Sequence, residues 1–188
     1  MATTRRRWLA LSGAAATAAA AVTLWLMTHP RPPAVSPAQA RAMLPAINTY
    51  LAKHAAQLTG GYLASTYPRL KVENFCDVRI IEIRPAGRQW HVGMDVNCGE
   101  FARRGRTLVE GAAGEDDDVM TLARSHGRYR ALSLLIGPIY YDPDWAAKHF
   151  SPRAAAEIDS ATPPMAPYPA SQARRAFGLP PASRAVEG

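Results

Sequence analysis

Five histidines are scattered through the 188-residue chain, at positions 29, 54, 91, 126 and 149, and no two share the spacing of a helical metal pair. There is no phosphate-binding loop, nucleophile elbow, HExxH or CxxC. One stretch is left for proton chemistry. Apolar Trp90, Val92, Met94, Val96 and Cys98 alternate with Gln89, His91, Gly93, Asp95 and Asn97, as a half-buried strand requires. His91 and Asp95 therefore share a face, and the preceding strand brings Asp77 to it. These three are the weak catalytic candidates, an acid/base set only if that face lines a pocket. The favoured alternative is an outward polar face on which Arg79 and Asp95 form a weak surface ion pair.

Three other clusters carry charge or aromatic surface. Glu115-Asp116-Asp117-Asp118 offers carboxylate oxygens to a hard cation but lacks the spacing of a calcium loop, so it reads as a solvated loop. Tyr140, Tyr141 and Trp145 form the densest aromatic patch, a candidate partner surface if they are not packed against a sheet edge, which is the favoured reading. Arg103-Arg104-Gly105-Arg106 has the charge to touch anionic lipid or polymer, although three charges more often flank a strand. No metal and no cofactor is expected. Four of the 22 basic residues and none of the 15 acidic ones fall within residues 1–40, so the net charge of +7 is concentrated there. The balanced remainder predicts no nucleic-acid partner.

That N-terminal segment dictates location. Arg5, Arg6 and Arg7 precede an uncharged run from Trp8 to Met27. As a helix the run spans about 30 Å, the thickness of a hydrocarbon core, with Trp8 and Trp25 near its two ends. Residues 1–28 thus read as a cytoplasmic basic flank and a transmembrane signal anchor contacting membrane lipid, with everything beyond it extracytoplasmic. Cleavage near Ala40, at Ala38-Gln39-Ala40, is the alternative and would release a secreted form. The segment from Thr4 to Leu9 also resembles a twin-arginine export signal, against the simpler reading of a positive-inside flank. Only three of the 22 basic residues are lysines, and alanine and proline abound, as in proteins of GC-rich bacteria.

Residues 29–36 form a proline-rich spacer, and the α+β domain occupies 37–159. Ser36, Pro37 and Gln39 make a capping box, and Met43, Leu44, Ile47, Tyr50, Leu51, Ala55 and Leu58 form one apolar helical face. Pro45 predicts a kink or a restart of that helix, and Gly60-Gly61 its end. Thr107–Glu110, Val119–Arg124 and Tyr129–Ile136 read as strands, with a Gly111–Asp118 loop between the first two. Asp142-Pro143 and Ser151-Pro152 each signal a short capped helix. Residues 160–188 hold six prolines and no apolar period, and read as a disordered tail.

Register follows from face matching. Cys76, Val78 and Ile80 meet Cys98, Val96 and Met94 only if paired numbers sum to an even value. An odd-length loop centred on Gly87 gives 174, which puts Cys76 opposite Cys98 and Arg79 opposite Asp95. Directly opposed antiparallel residues lie within disulfide reach, and an exported chain meets an oxidising compartment. A Cys76–Cys98 disulfide is therefore predicted.

The stretch from Leu122 to Leu132, with Arg124-Ser125-His126-Gly127-Arg128-Tyr129 at its centre, resembles the last hairpin of NTF2-like domains. That resemblance implies a long helix packed on a curved antiparallel sheet of about four to five strands. The disulfide hairpin and Asp142-Pro143-Asp144-Trp145 lie outside the NTF2-like pattern, so a cystatin-like relative stays open. Such domains include isomerases, dehydratases and non-catalytic envelope modules. The anchor and the missing catalytic motif favour a non-catalytic module for protein interaction, self-association or assembly in a bacterial envelope. A small pocket hydrolase or isomerase using His91 with Asp95, or a secreted ligand-binding protein, are the alternatives.

Overall fold

Ser36 and Pro37 open the first helix as their capping pattern requires: the Ser36 hydroxyl accepts the Gln39 N–H, and α1 runs Pro37–Thr59. The computed structural model describes residues 35–138, 142–160 and 165–188. The expected anchor, its twin-arginine motif, Tyr140 and Tyr141 lie outside them, as does nearly all of the spacer. Among the described residues no helix is long and apolar enough to cross a membrane. The helix does not restart at Pro45: α1 runs unbroken through it. One missing N–H removes a single helical bond, and the burial of Met43, Ile47 and Leu51 outweighs it at about 2 kcal/mol each. Gly60, at φ 79°, ends the helix. A short α2 (Tyr62–Thr66) follows.

The sheet is open and curved, with four antiparallel strands in chain order: β1 (Val72–Ala86), β2 (Gln89–Arg104), β3 (Thr107–Ser125) and β4 (Arg128–Leu135). Its fifth strand, β5 (Ala185–Glu187), runs parallel to the N-terminal part of β3. Val78 pairs with Val96, Ile80 with Met94 and Arg79 with Asp95, as face matching requires. The turn differs from the expected odd-length loop. Ala86 pairs with Gln89 across Gly87-Arg88, a two-residue connection that by itself puts the strands out of phase. A bulge between Ile80 and Glu82 restores the phase by inserting one residue into β1.

The Gly111–Asp118 loop does not exist: those residues continue β3, a 19-residue strand paired along β2. Asp and Gly have low strand propensity, yet β2 satisfies the β3 backbone and tertiary pairing overrides the local preference. The close approach of α1 adds to this. A Cβ on Gly114 would come within 2.3 Å of the Leu58 carbonyl oxygen, so only glycine fits there.

Both faces of the sheet are covered. On one, Met43, Ile47, Leu51 and Ala55 pack on Val92, Met94, Val96, Met120 and Leu122. On the other lie α3 (Pro143–His149) and α4 (Pro152–Ile158), capped by Asp142 and Ser151. Phe150, Ala154 and Ile158 bury Ile81 and Val119 there. The segment expected to be a disordered tail is structured in its described part. It forms α5 (Ala170–Ala176) and β5, and docks Ala173 and Leu179 on Phe101 and Leu108. A seven-residue helix is too short to show a period, and its few apolar residues suffice because Phe75 and Phe177 meet edge to face beside them.

Cys76 and Cys98 are directly opposite and joined by a disulfide, with their Cα atoms 4.0 Å apart. Closing a loop of this length stabilises by about 3 kcal/mol in the chain-entropy model. A Cys76→Ala, Cys98→Ala double variant, compared with the oxidised parent by thermal unfolding, is expected to melt roughly 6–12 °C lower. An unchanged melting temperature would show that the bridge constrains nothing.

Candidate functional site

The acid/base candidates lie on the second sheet face, which is covered at Asp95 and partly exposed at Asp77 and His91. Asp95 is 4% exposed. Its Oδ2 accepts the Ala166 N–H at 2.6 Å and lies 3.6 Å from Nε of Arg79. Arg79 in turn reaches Glu157 of α4 at 2.6 Å. In place of the weak surface pair expected, Arg79 and Asp95 form a partly buried link between sheet, α4 and the C-terminal segment. Burial pushes the Asp95 carboxyl up from its ordinary range, opposed by the Ala166 N–H and the Arg79 charge. His91 shares the face but pairs with Arg84 and Thr121, four residues and about 13 Å along β2 from Asp95. Asp77 pairs with Asn97, whose amide donates to the Ala166 carbonyl. The three candidates share a face without forming a constellation, and Ala166 sits over the carboxylate that would have to act.

The acidic run on β3 alternates between faces, exposed at Glu115 and progressively covered through Asp116 and Asp117 to Asp118. Asp117 lies opposite Asp95, and burial with that neighbouring charge pushes it up to about 6. Asp118 lies opposite Met94 and is 0% exposed. Its Oδ1 accepts the Gly137 N–H at 3.0 Å, while Oδ2 is buried with no hydrogen-bond partner among the described residues. Gly137 can approach because it has no side chain: a Cβ there would meet the Asp117 carbonyl oxygen at 2.7 Å. Burial, reinforced by Asp116, Asp117 and Asp95, pushes Asp118 up to about 7, only partly offset by the Gly137 N–H. An acid in such surroundings holds its proton below about pH 7, and the run is paired strand where a solvated loop was expected. Among the described residues no group of three or more His, Cys, Asp or Glu could hold a metal ion.

Glu100 was not legible as a site residue. It is almost fully buried, and its Oε2 accepts the Leu63 and Ala112 N–H groups, tying α2 to the sheet. Trp145 of the aromatic patch is half-buried against His149 and Phe150, so it packs. Arg103 turns back to the carbonyls of Gly105 and Phe177 at the exposed β2–β3 turn, as a solvated flank does.

The open concavity lies elsewhere, between α1 and the β4 hairpin. It is a groove of about 750 Å³ whose lining includes Pro45, Thr49, Tyr50, Lys53, Tyr129 and Arg130. His126 and Gly127, both at positive φ, make the tight turn that brings Arg128 and Tyr129 to its rim. Tyr50 stacks on His54 with ring centroids 4.3 Å apart, and the Arg124 guanidinium lies over the Tyr129 ring. Cations, hydroxyls, the His54 imidazole, small apolar groups and a helix face meet there. The helix spacing of Pro45, Thr49 and Lys53 was the available signal, hidden because that stripe flanks the apolar face.

The folded domain keeps Asp118 protonated between about pH 4 and pH 7, where the unfolded chain releases the proton. Stability from this group is therefore full below about pH 4 and lost as pH rises toward 7. In urea unfolding, Asp118→Asn is expected to gain on the parent by a few kcal/mol at about pH 8 and by much less at about pH 4. An equal difference at both pH values would show the carboxyl to be ionised in the fold. Comparison of the chain with protein-family models, with curated proteins and with solved structures gives no match.

Proposed function

We propose that this chain is a non-catalytic binding module of the bacterial envelope: an extracytoplasmic α+β domain of NTF2-like or cystatin-like kind, tethered by residues 1–28, that docks a protein partner in the α1–β4 groove. The groove itself carries this reading. It is open, it lies beside a strand with one edge unpaired among the described residues, and its polar side chains are cations, hydroxyls and the His54 imidazole. The alternative, a pocket enzyme using His91 and Asp95, is disfavoured by their separation along β2 and by Ala166 over the carboxylate. Release by cleavage near Ala40 is disfavoured too. The cut falls inside α1, removing the Ser36 cap and the Ala40 N–H bond to the Ser36 carbonyl.

A photo-crosslinking amino acid placed at Thr49, compared with one at exposed Arg69 beyond α2, tests the groove. In intact cells the Thr49 position is expected to give a discrete crosslinked product in the membrane fraction, with none from Arg69. A reporter fused after Gly188 should be active only outside the cytosol. No Thr49 product, equal labelling at both positions, or a cytosolic reporter signal would each remove the proposal.

A further inference from the structure

We infer that the α1–β4 groove receives an acidic, extended segment of a partner protein, which adds to β4 as a further strand. This rests on the binding-module reading and names the chemistry of its partner. β4 pairs with β3 along one edge, and no described strand lies along the other. That edge presents backbone donors and acceptors suited to an incoming strand. The groove alongside is flanked by Ala42, Pro45 and Ala46 of α1 and by Ala131 of β4. A strand laid there places alternate side chains beneath the helix, in space lined by small apolar groups, and the others toward solvent.

Charge selects the occupant. Together α1 and β4 contain Arg41, Lys53, Arg128 and Arg130, and neither element contains an Asp or Glu. Lys53, Arg128 and Arg130 line the groove, are exposed, and make no ion pair among the described residues. The chain's first 34 residues hold no acid, so its own N-terminal segment does not supply the complement. A second copy would bring the same cations to the seam, where like charges repel. A nucleic acid would stack its bases on aromatic faces, yet Tyr50 already stacks on His54, and Arg124 covers Tyr129. The carboxylates therefore come from another protein.

The test titrates the full chain, in detergent micelles, into a fluorescent nine-residue peptide alternating valine and glutamate, read by anisotropy. Saturable binding is expected, weakening about tenfold between roughly 50 mM and 500 mM salt as the charges are screened. A Lys53→Glu, Arg130→Glu double variant should weaken it by about tenfold or more while its thermal unfolding matches the parent. Two peptides, each N-methylated on one alternate set of backbone nitrogens, keep the charge. One of the two must lose binding if the segment joins the sheet.

Four results overturn the inference: no binding of the peptide, equal binding of an arginine-for-glutamate peptide, equal binding of both N-methylated forms, or tighter binding of oligothymidine or phosphatidylglycerol vesicles. If the Thr49 crosslinker captures a partner while the peptide fails to bind, the acidic strand is wrong and the binding-module reading stands.

Discussion

Both faces of this sheet depend on one inserted residue in β1. The Gly87-Arg88 turn joins Ala86 to Gln89 in a register that, carried unbroken along the strands, would set Cys76 and Val78 on the wrong side. The bulge between Ile80 and Glu82 corrects this and sends Ile81 to the second face, where it packs under α3 and α4. From there the phase is held by the Cys76–Cys98 bridge at the far end of the hairpin. Disulfide and bulge fix the register at two points, and the side chains between them have no freedom to slip. With that phase set, Val92, Met94 and Val96 meet α1, and Asp95 and Asn97 meet the C-terminal segment.

The second consequence is a sheet that buries acids. β3 carries four consecutive carboxylates through the middle of the sheet, and strand geometry sends them alternately to its two faces, with Glu115 exposed, Asp116 and Asp117 partly covered and Asp118 buried. Burying an isolated carboxylate is costly, and the fold meets that cost differently on each side. On the second face Arg79 supplies charge and Ala166 an N–H to Asp95, which tie α4 and the C-terminal segment to the strand. On the first face Asp118 has, among the described residues, a single N–H donor and no cation, and Asp116, Asp117 and Asp95 add like charge. Neutralisation is the way out there, and the raised affinity for a proton follows from that shortage of partners.

Where the acids are buried, the basic residues of α1 and β4 are exposed. Among the described residues no strand covers the sheet's outer edge at β4, while β5 covers only the neighbouring end of β3. The segregation is spatial as well as electrostatic. Glu82, Asp95, Glu100 and Asp118 are buried in the layered part of the domain, and Lys53, Arg128 and Arg130 line the open groove.

The chain's local chemistry determined several elements outright. Ser36-Pro37, Asp142-Pro143 and Ser151-Pro152 start their helices, and Gly60 ends the first, because capping and positive φ are matters of a few adjacent atoms. Strict alternation from Trp90 to Cys98 determined the faces, and with them the Cys76–Cys98 pairing. Tertiary structure decided the rest. The bulge and the two-residue turn compensate each other, so parity matching could not separate them from a single longer loop. An acidic, glycine-containing segment became the middle of β3 because β2 offers its backbone a partner along the strand. Pro45 stayed inside α1 because the buried stripe around it outweighs one lost hydrogen bond. The short α5 and β5 are held by distant Phe101 and Leu108. No periodicity in seven residues can announce a docking site formed some seventy positions away.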